Sequence, residues 1–406
     1  MRTSVTALAL VAATMVTAQV GVSGAEAPKT SDYTASEIAD GTAFNNVSRM
    51  ALENMQWNTY HRNSTANCTY ETADRRQEWR TLDPATRKSF TNAATCLMKL
   101  PPTHMTAADA PFYPGVKSRY DEYVATHINY TLQVHDTADF FAWHRTFIHF
   151  WEQDLKDLCG YTGVLPYWNW ALDAEALQDS PLFTGDEFSL GSNGVYIANR
   201  TDTWLAVQLT IYAQDVTVPP GLGGGCVHSG PFANVTVDLG PLDLPNTKNV
   251  NSSFQYNPRC LQRDLNPWFV QNYNTYTNLT ATLLDNIYIA DFQAAAQGYN
   301  SATNKFGVHG GGHWSTGGSM ADFHSSPADP LFFLHHGMMD HLYTTWVNLD
   351  TYRRQNAISG TSTLGNSPVS PEMTLNDTLP FGFVASNVRF ADVIDTFGGL
   401  LCYRYD

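Results

Sequence analysis

Apolar positions recur with helical period over several long stretches of the chain, and runs of turn-forming residues separate them. The pattern predicts a short amphipathic helix from Ala35 to about Asn54. Between Thr72 and Leu100 it predicts two helical segments separated by Asp83-Pro84, the second stopped by Pro101-Pro102. A Pro-rich loop covers 101–116. Helical periodicity returns near Val116, and a further helix runs from about Phe140 to Leu158. Cys159-Gly160 ends it, because glycine readily takes the left-handed conformation that closes a helix. Residues 160–265 are dominated by Gly, Pro, Asn, Asp and Thr, with GLGGGC at 221–226 the extreme, and read as a long loop-rich insert without a core of its own. Helices resume from about Pro267 to Gln297 and from about Asp329 to Leu349, and the tail 350–406 is turn-rich with short strand-like pieces. No repeat of solenoid period is visible. The expected fold class is mainly α, with long irregular loops and few short strands.

Composition sharpens this picture in three ways. A chain of 406 residues that is 43% hydrophobic can bury a large core, here expected in one domain. A net charge of -15 with no basic run makes nucleic acid and anionic membrane surfaces poor partners. The N-terminus reads as a secretory signal: Arg2 supplies the charge, Val5 to Val16 the short apolar run, and Val16-Thr17-Ala18 or Ser23-Gly24-Ala25 the cleavage site. That run is too short to span a bilayer, and no other stretch is long and apolar enough. The expected organisation is a signal over 1–18, or up to 25, followed by a single domain over 19–406, secreted and extracellular.

Export agrees with nine Asn-X-Ser/Thr sequons, at Asn46, Asn63, Asn67, Asn129, Asn199, Asn234, Asn251, Asn278 and Asn376, which suit a glycoprotein. It also agrees with six cysteines, an even number that allows up to three disulfides. Cys226 and Cys260 share one Gly/Pro/Asn-rich region and form the expected local pair. The pairing of Cys68, Cys96, Cys159 and Cys402 stays open.

The candidate chemistry lies in two stretches. Tyr123 to Asp173 places His127, His135 and His144 among aromatic and aliphatic residues, and Val308 to Asp340 answers with His309, His313 and His336. Each histidine alone is weak evidence, since an apolar helix often buries one satisfied imidazole. His309 and His313 stand four apart, so on a helix they face one way and can bite one metal. Gly310 to Gly312 lower helix propensity and are expected to leave open space beside the metal. As a set, two trios of imidazoles in the most aromatic helical regions, with no thiolate or carboxylate placed as a fourth ligand, fit neither a closed structural zinc site nor a hard-cation site. They suit a pair of copper ions.

These residues carry a resemblance. The H-x7-H-x8-H layout with WHR and then PYWNW, and VHGGGH followed by GGSM and SPADPLFFLHHGMMDHLYTTW, are similar to the tyrosinase and catechol oxidase family of type 3 dicopper proteins, in particular its short secreted fungal polyphenol oxidases. The resemblance implies a four-helix bundle around two copper ions, copper A on His127, His135 and His144 and copper B on His309, His313 and His336. His336 is chosen over its neighbour because the family ligand is the His of H-x3-D, here with Asp340; His335 is then expected to point elsewhere, as a pocket residue. His61, His104, His149, His228, His324 and His341 are expected to be non-ligands. Small phenols and O2 are the implied partners.

Departures from the family pattern shape the expected activity. Where many members carry a Cys linked to the second copper A histidine, this chain has Gln133. Gln297 stands where the family has a water-positioning Glu, and an amide is a far poorer proton acceptor than a carboxylate. Gly310 follows His309, where strong monophenol hydroxylases often have Asn. Phe323 occupies a position that often gates the pocket. Together these favour oxidation of o-diphenols to o-quinones over hydroxylation of monophenols. Oxidation of o-aminophenols, full monophenolase activity, reversible O2 carriage and a zinc hydrolase are the alternatives. The chain ends at CYRYD, one residue past a Tyr-x-Tyr element, which reads as a catalytic domain without a C-terminal shield.

Overall fold

The computed structural model describes residues 27–61, 68–206, 215–245, 247–298 and 306–406. The expected signal and the sequons at Asn63 and Asn67 lie outside the described residues. The helices are α1 (Ala35–Ala39), α2 (Thr42–His61), α3 (Pro84–Leu97), α4 (Arg119–Val134), α5 (Phe140–Cys159), α6 (Pro267–Tyr273), α7 (Tyr276–Leu284), α8 (Ile289–Gln297), α9 (Gly307–Thr316), α10 (Leu331–Leu349) and α11 (Thr351–Arg354). Strands are short and occur as separate two-stranded pieces. The chain is mainly helical, as its apolar periodicity predicts.

Local signals set most helix ends. Asp83 caps α3, its carboxylate accepting from the Ala85 and Thr86 amides, with Pro84 in the first turn where no amide is needed. Ser118 caps α4, and Asp121 returns the bond to the Ser118 amide. Gly160, at φ 69°, closes α5.

Two expectations need correction. The helix expected from Ala35 to Asn54 is two helices, broken at Asp40-Gly41: Gly41 sits at φ +87°, and a Cβ there would lie 2.7 Å from the Tyr276 ring. The first helical segment expected after Thr72 is instead a strand, Asp74–Arg76, paired in parallel with Tyr403–Tyr405, followed by a 3-10 turn at Trp79–Thr81. Its partner comes from the far end of the chain, so tertiary pairing overrides local propensity.

One apolar core runs through the chain from Phe44 to Tyr405. At its centre every residue of α10 is buried, as expected of a helix apolar nearly all round. α10 packs on α2 and α5, and α5 packs on α3 and α4. Phe140, Phe147 and Phe333 are fully buried, each contributing about 1.5–3 kcal/mol relative to exposure.

A buried polar joint locks these helices together. Asp340 of α10 takes Arg145 Nε of α5 at 2.5 Å, Tyr403 Oη at 2.5 Å and Tyr405 Oη at 2.7 Å, with Arg76 Nη1 at 3.4 Å. Arg76 also donates to Glu152 of α5 at 2.8 Å. The Tyr-x-Tyr element thus ties the chain end to the helix that carries His335 and His336. Cys226–Cys260 forms as expected; Cys68–Cys402 and Cys96–Cys159 complete the set, and no cysteine remains free. No helix among the described residues is long and apolar enough to cross a membrane.

Candidate metal centre

The histidines converge on two facing clusters carried by four helices. His127, on α4, and His135, at its C-terminal end, meet His144 of α5, with ring centroids 4.9–5.8 Å apart. His309 and His313 of α9 meet His336 of α10 at 4.6–5.5 Å. The two sets touch: His144 stacks on His336 at 4.3 Å with planes 8° apart, and His135 lies 5.7 Å from His309. His61, His104, His149, His228, His324 and His341 stand outside both clusters.

Backbone carbonyls fix the tautomers. A carbonyl only accepts, so Nδ1 must carry the proton where His127 bonds the His324 oxygen, His135 that of Thr131, His144 that of Phe140 and His313 that of Met320, at 2.7–2.9 Å. Each Nε2 is left as a lone pair. Burial holds all these imidazoles far below their ordinary pKa, His127 and His313 at about 3, with neighbouring imidazoles adding repulsion. They are therefore neutral, which is the form that binds a metal.

The donor set has the marks of a metal site. The Nε2 atoms of His127 and His144 and both ring nitrogens of His335 and His336 are buried without a partner. Such orphans are costly unless something satisfies them. Nε2 of His313 and Nε2 of His309 face each other at 3.1 Å, a gap that calls for one proton or one cation between them. Neither cluster includes a thiolate or carboxylate.

Two expectations change here. His335, expected to point away from the metal, sits inside the second cluster, its ring 4.3 Å from His313 and within 4.8 Å, donor to donor, of the other three histidines. The glycines between His309 and His313 do not all leave open space. A Cβ on Gly312 would lie 2.4 Å from His335 Nδ1 and 3.0 Å from Trp170 Nε1, and one on Gly311 would lie 2.3 Å from Asn274 Oδ1. These two glycines permit close approach. Gly310 is half-buried, but it too has little room, since a Cβ there would lie 3.2 Å from Phe306 Cβ.

The remaining site residues cluster around His135. Phe323 is half-buried with its ring 4.8 Å from that of His135, and the adjacent His324 carbonyl holds His127. Gln297, at the end of α8, accepts the Asp136 N–H at 2.9 Å through Oε1. Asp136 is a non-glycine residue at φ 51°, so Gln297 secures a strained turn directly after His135. Gln297 Nε2 is buried with no partner. Gln133 is exposed, and every cysteine is engaged in a disulfide.

The model of the common central domain of tyrosinase matches residues 117–349, which span both clusters. Tyrosinase P of Aspergillus terreus is 39% identical over 338 residues, covering 82% of this chain and 92% of that protein. N-acetyl-6-hydroxytryptophan oxidase of Emericella nidulans is 38% identical over 355 residues, covering 84% and 94%. Among solved structures, a Gly-to-Asn variant of a polyphenol oxidase from Thermothelomyces thermophila superposes with a TM-score of 0.82 at 34% identity, covering 92% of this chain and 99% of that one. Members of this family bind a dinuclear copper centre, and the two imidazole clusters here offer the donors for one. On its sequence match, its fold and its paired histidine clusters, this chain belongs to the tyrosinase family of type 3 copper oxidoreductases.

Proposed function

We propose that the chain oxidises o-diphenols to o-quinones in preference to hydroxylating monophenols. His127, His135 and His144 would hold copper A, and His309, His313 and His336 copper B. His336 is preferred over His335 because it stacks on His144, on the side where the two clusters meet, whereas His335 lies against Trp170 and Gly312. A copper pair held there supplies a two-electron exchange: each o-diphenol loses two electrons and two protons, and two such turnovers reduce one O2 to two waters. The protein's part is to hold the imidazoles neutral and aimed, and to place the phenol. Phe323 offers a ring face beside His135 against which a substrate ring can lie.

The observation that carries the diphenol preference is the state of Gln297. Its oxygen is taken by Asp136 and its free atom is a donor, so no carboxylate stands there to accept a monophenol's proton. A diphenol, more acidic and already bearing both oxygens, has less need of that base. A relative named tyrosinase favours full monophenolase activity as the second reading, and one named N-acetyl-6-hydroxytryptophan oxidase widens the phenolic class to a hydroxyindole. Three disulfides support export to an oxidising compartment, with residues 1–18 as the signal and 19–406 as the catalytic unit.

Metal analysis paired with kinetics tests this reading. Two copper ions per chain are expected, with catechol converted without a lag and tyrosine slower by about 100-fold, the order a missing general base costs. Rapid tyrosine conversion without a lag would overturn the preference, and bound zinc in place of copper would overturn the oxidase.

A further inference from the structure

One histidine of α10 takes no part in the metal clusters. His341 follows Asp340, is 4% exposed, and has an Nδ1 with no hydrogen-bond partner. Its ring stacks on Tyr405 at 4.8 Å with planes 12° apart, and meets Tyr167 at 4.9 Å and Phe44 at 6.1 Å. None of these neighbours is a candidate copper ligand. All four rings line a cavity of about 320 Å³ between α2 and α10, with Ser48, Thr345 and Asn348 among its polar residues. That volume is at the lower end of the range for small-molecule pockets. The Ser48 hydroxyl in its wall is likewise buried without a partner.

The lining defines the chemistry of an occupant. Aromatic walls favour a planar aromatic ring, and the orphaned nitrogen and hydroxyl favour a ring that carries a hydrogen-bonding group. Charge is not selected. Arg49 at the rim is paired with Glu53 at 2.5 Å, and Asp406 with Arg75 at 2.9 Å. The cavity also adjoins the joint that locks the copper-bearing helices. Tyr405, whose ring forms the cavity wall, bonds Asp340 at 2.7 Å, and Asp340 bonds Arg145, the residue after His144.

We propose that this cavity is a second, regulatory site for a small uncharged aromatic compound bearing a hydrogen-bonding group, and that its occupancy is felt at the copper centre through Tyr405 and Asp340. Benzamide is a suitable probe, since it has the ring, the amide and no phenolic oxygen to engage copper. With the copper-loaded enzyme, calorimetry is expected to give one benzamide site per chain, and saturating benzamide is expected to change kcat for catechol at least two-fold with KM unchanged. Thr345→Trp, which fills the cavity, should abolish both effects while leaving unliganded turnover intact. Asn45→Trp, at the exposed rim, should do the same by closing the mouth, and decides the matter should Thr345→Trp fail to fold. An increase in KM alone, an unchanged kcat, or binding that survives in Asn45→Trp overturns the proposal. Calorimetry does not depend on which phenol the enzyme oxidises, so a chain that fails to turn over catechol is still tested by loss of the benzamide site in Asn45→Trp.

Discussion

Gln297 holds the left-handed turn after His135 through one polar atom and leaves the other unused. Replacement by Glu keeps an oxygen for the Asp136 N–H and turns the unused donor into an acceptor. Gln297→Glu is therefore expected to raise the ratio of tyrosine to catechol kcat/KM by up to about 100-fold, the lower reach of general-base effects, measured as initial rates on one copper-loaded preparation. A ratio that stays put would mean that Gln297 serves the His135 turn alone. Gly312 makes the complementary case. Its missing Cβ is what lets His335 and Trp170 lie against α9, so Gly312→Ala is expected to lower copper from two ions per chain toward one by metal analysis, while Gly310→Ala retains both. The histidines of the clusters were legible in the sequence because their motifs are long and because they come as two trios, which singly buried imidazoles would not produce. His335 was misread. Adjacent helix residues point about 100° apart, which argues that only one of a pair faces a given point. But α10 is buried on all sides, so both directions lead into the interior. The close approaches at Gly311 and Gly312 depend on Asn274, Trp170 and His335, neighbours that no local pattern names.

At the scale of elements, the joint around Asp340 decides whether α5 and α10 present their histidines to one another. Two buried guanidiniums, Arg76 and Arg145, lean on that carboxylate. The pairing holds it ionised below its ordinary pKa despite complete burial. Asp340→Asn removes the charge and leaves the arginines undercompensated, with an expected loss of about 3–5 kcal/mol in thermal or urea unfolding. Tyr405→Phe removes only a neutral donor and is expected to cost about 0.5–1.5 kcal/mol. Equal losses would show that the hydroxyls, and not the ion pairs, carry the joint. Helix ends such as Asp83-Pro84 and Gly160 were legible because a cap is written within four residues of the bond it makes. The strand Asp74–Arg76 was not, because what makes it a strand is Tyr403–Tyr405, and the Cys68–Cys402 disulfide that fastens the same ends spans 334 residues.

Across the whole molecule, the buried imidazoles set the response to acid. Nine are held below their ordinary value chiefly by burial: His127 and His313 at about 3, His149 and His341 at about 4, and His135, His144, His309, His335 and His336 well below. In the unfolded chain they titrate near 6.5. Below that pH the unfolded state takes up protons that the native state refuses, so stability present above about 6.5 is lost progressively as pH falls toward 3–4. Glu152, lowered to about 2 beside Arg76 and Lys156 despite its burial, adds a further loss below its ordinary 4.5. Five carboxyls work the other way: burial raises Glu78, Asp238 and Asp243 above their ordinary range, and it raises two more strongly. Burial raises Asp121 to about 6 and Asp139 to about 7, so each gains native stability by protonating as pH falls from about 7 toward 4. Two strongly raised carboxyls and three weaker ones do not offset nine imidazoles, and the urea midpoint of the metal-free protein is expected to fall steadily from pH 6.5 to pH 4. The copper-loaded protein should start higher and fall more steeply over the same window, because protons and metal compete for the same lone pairs. A midpoint that holds level down to pH 5 would mean that water reaches the imidazoles, and the dry, donor-rich interior on which copper retention depends would have to be abandoned.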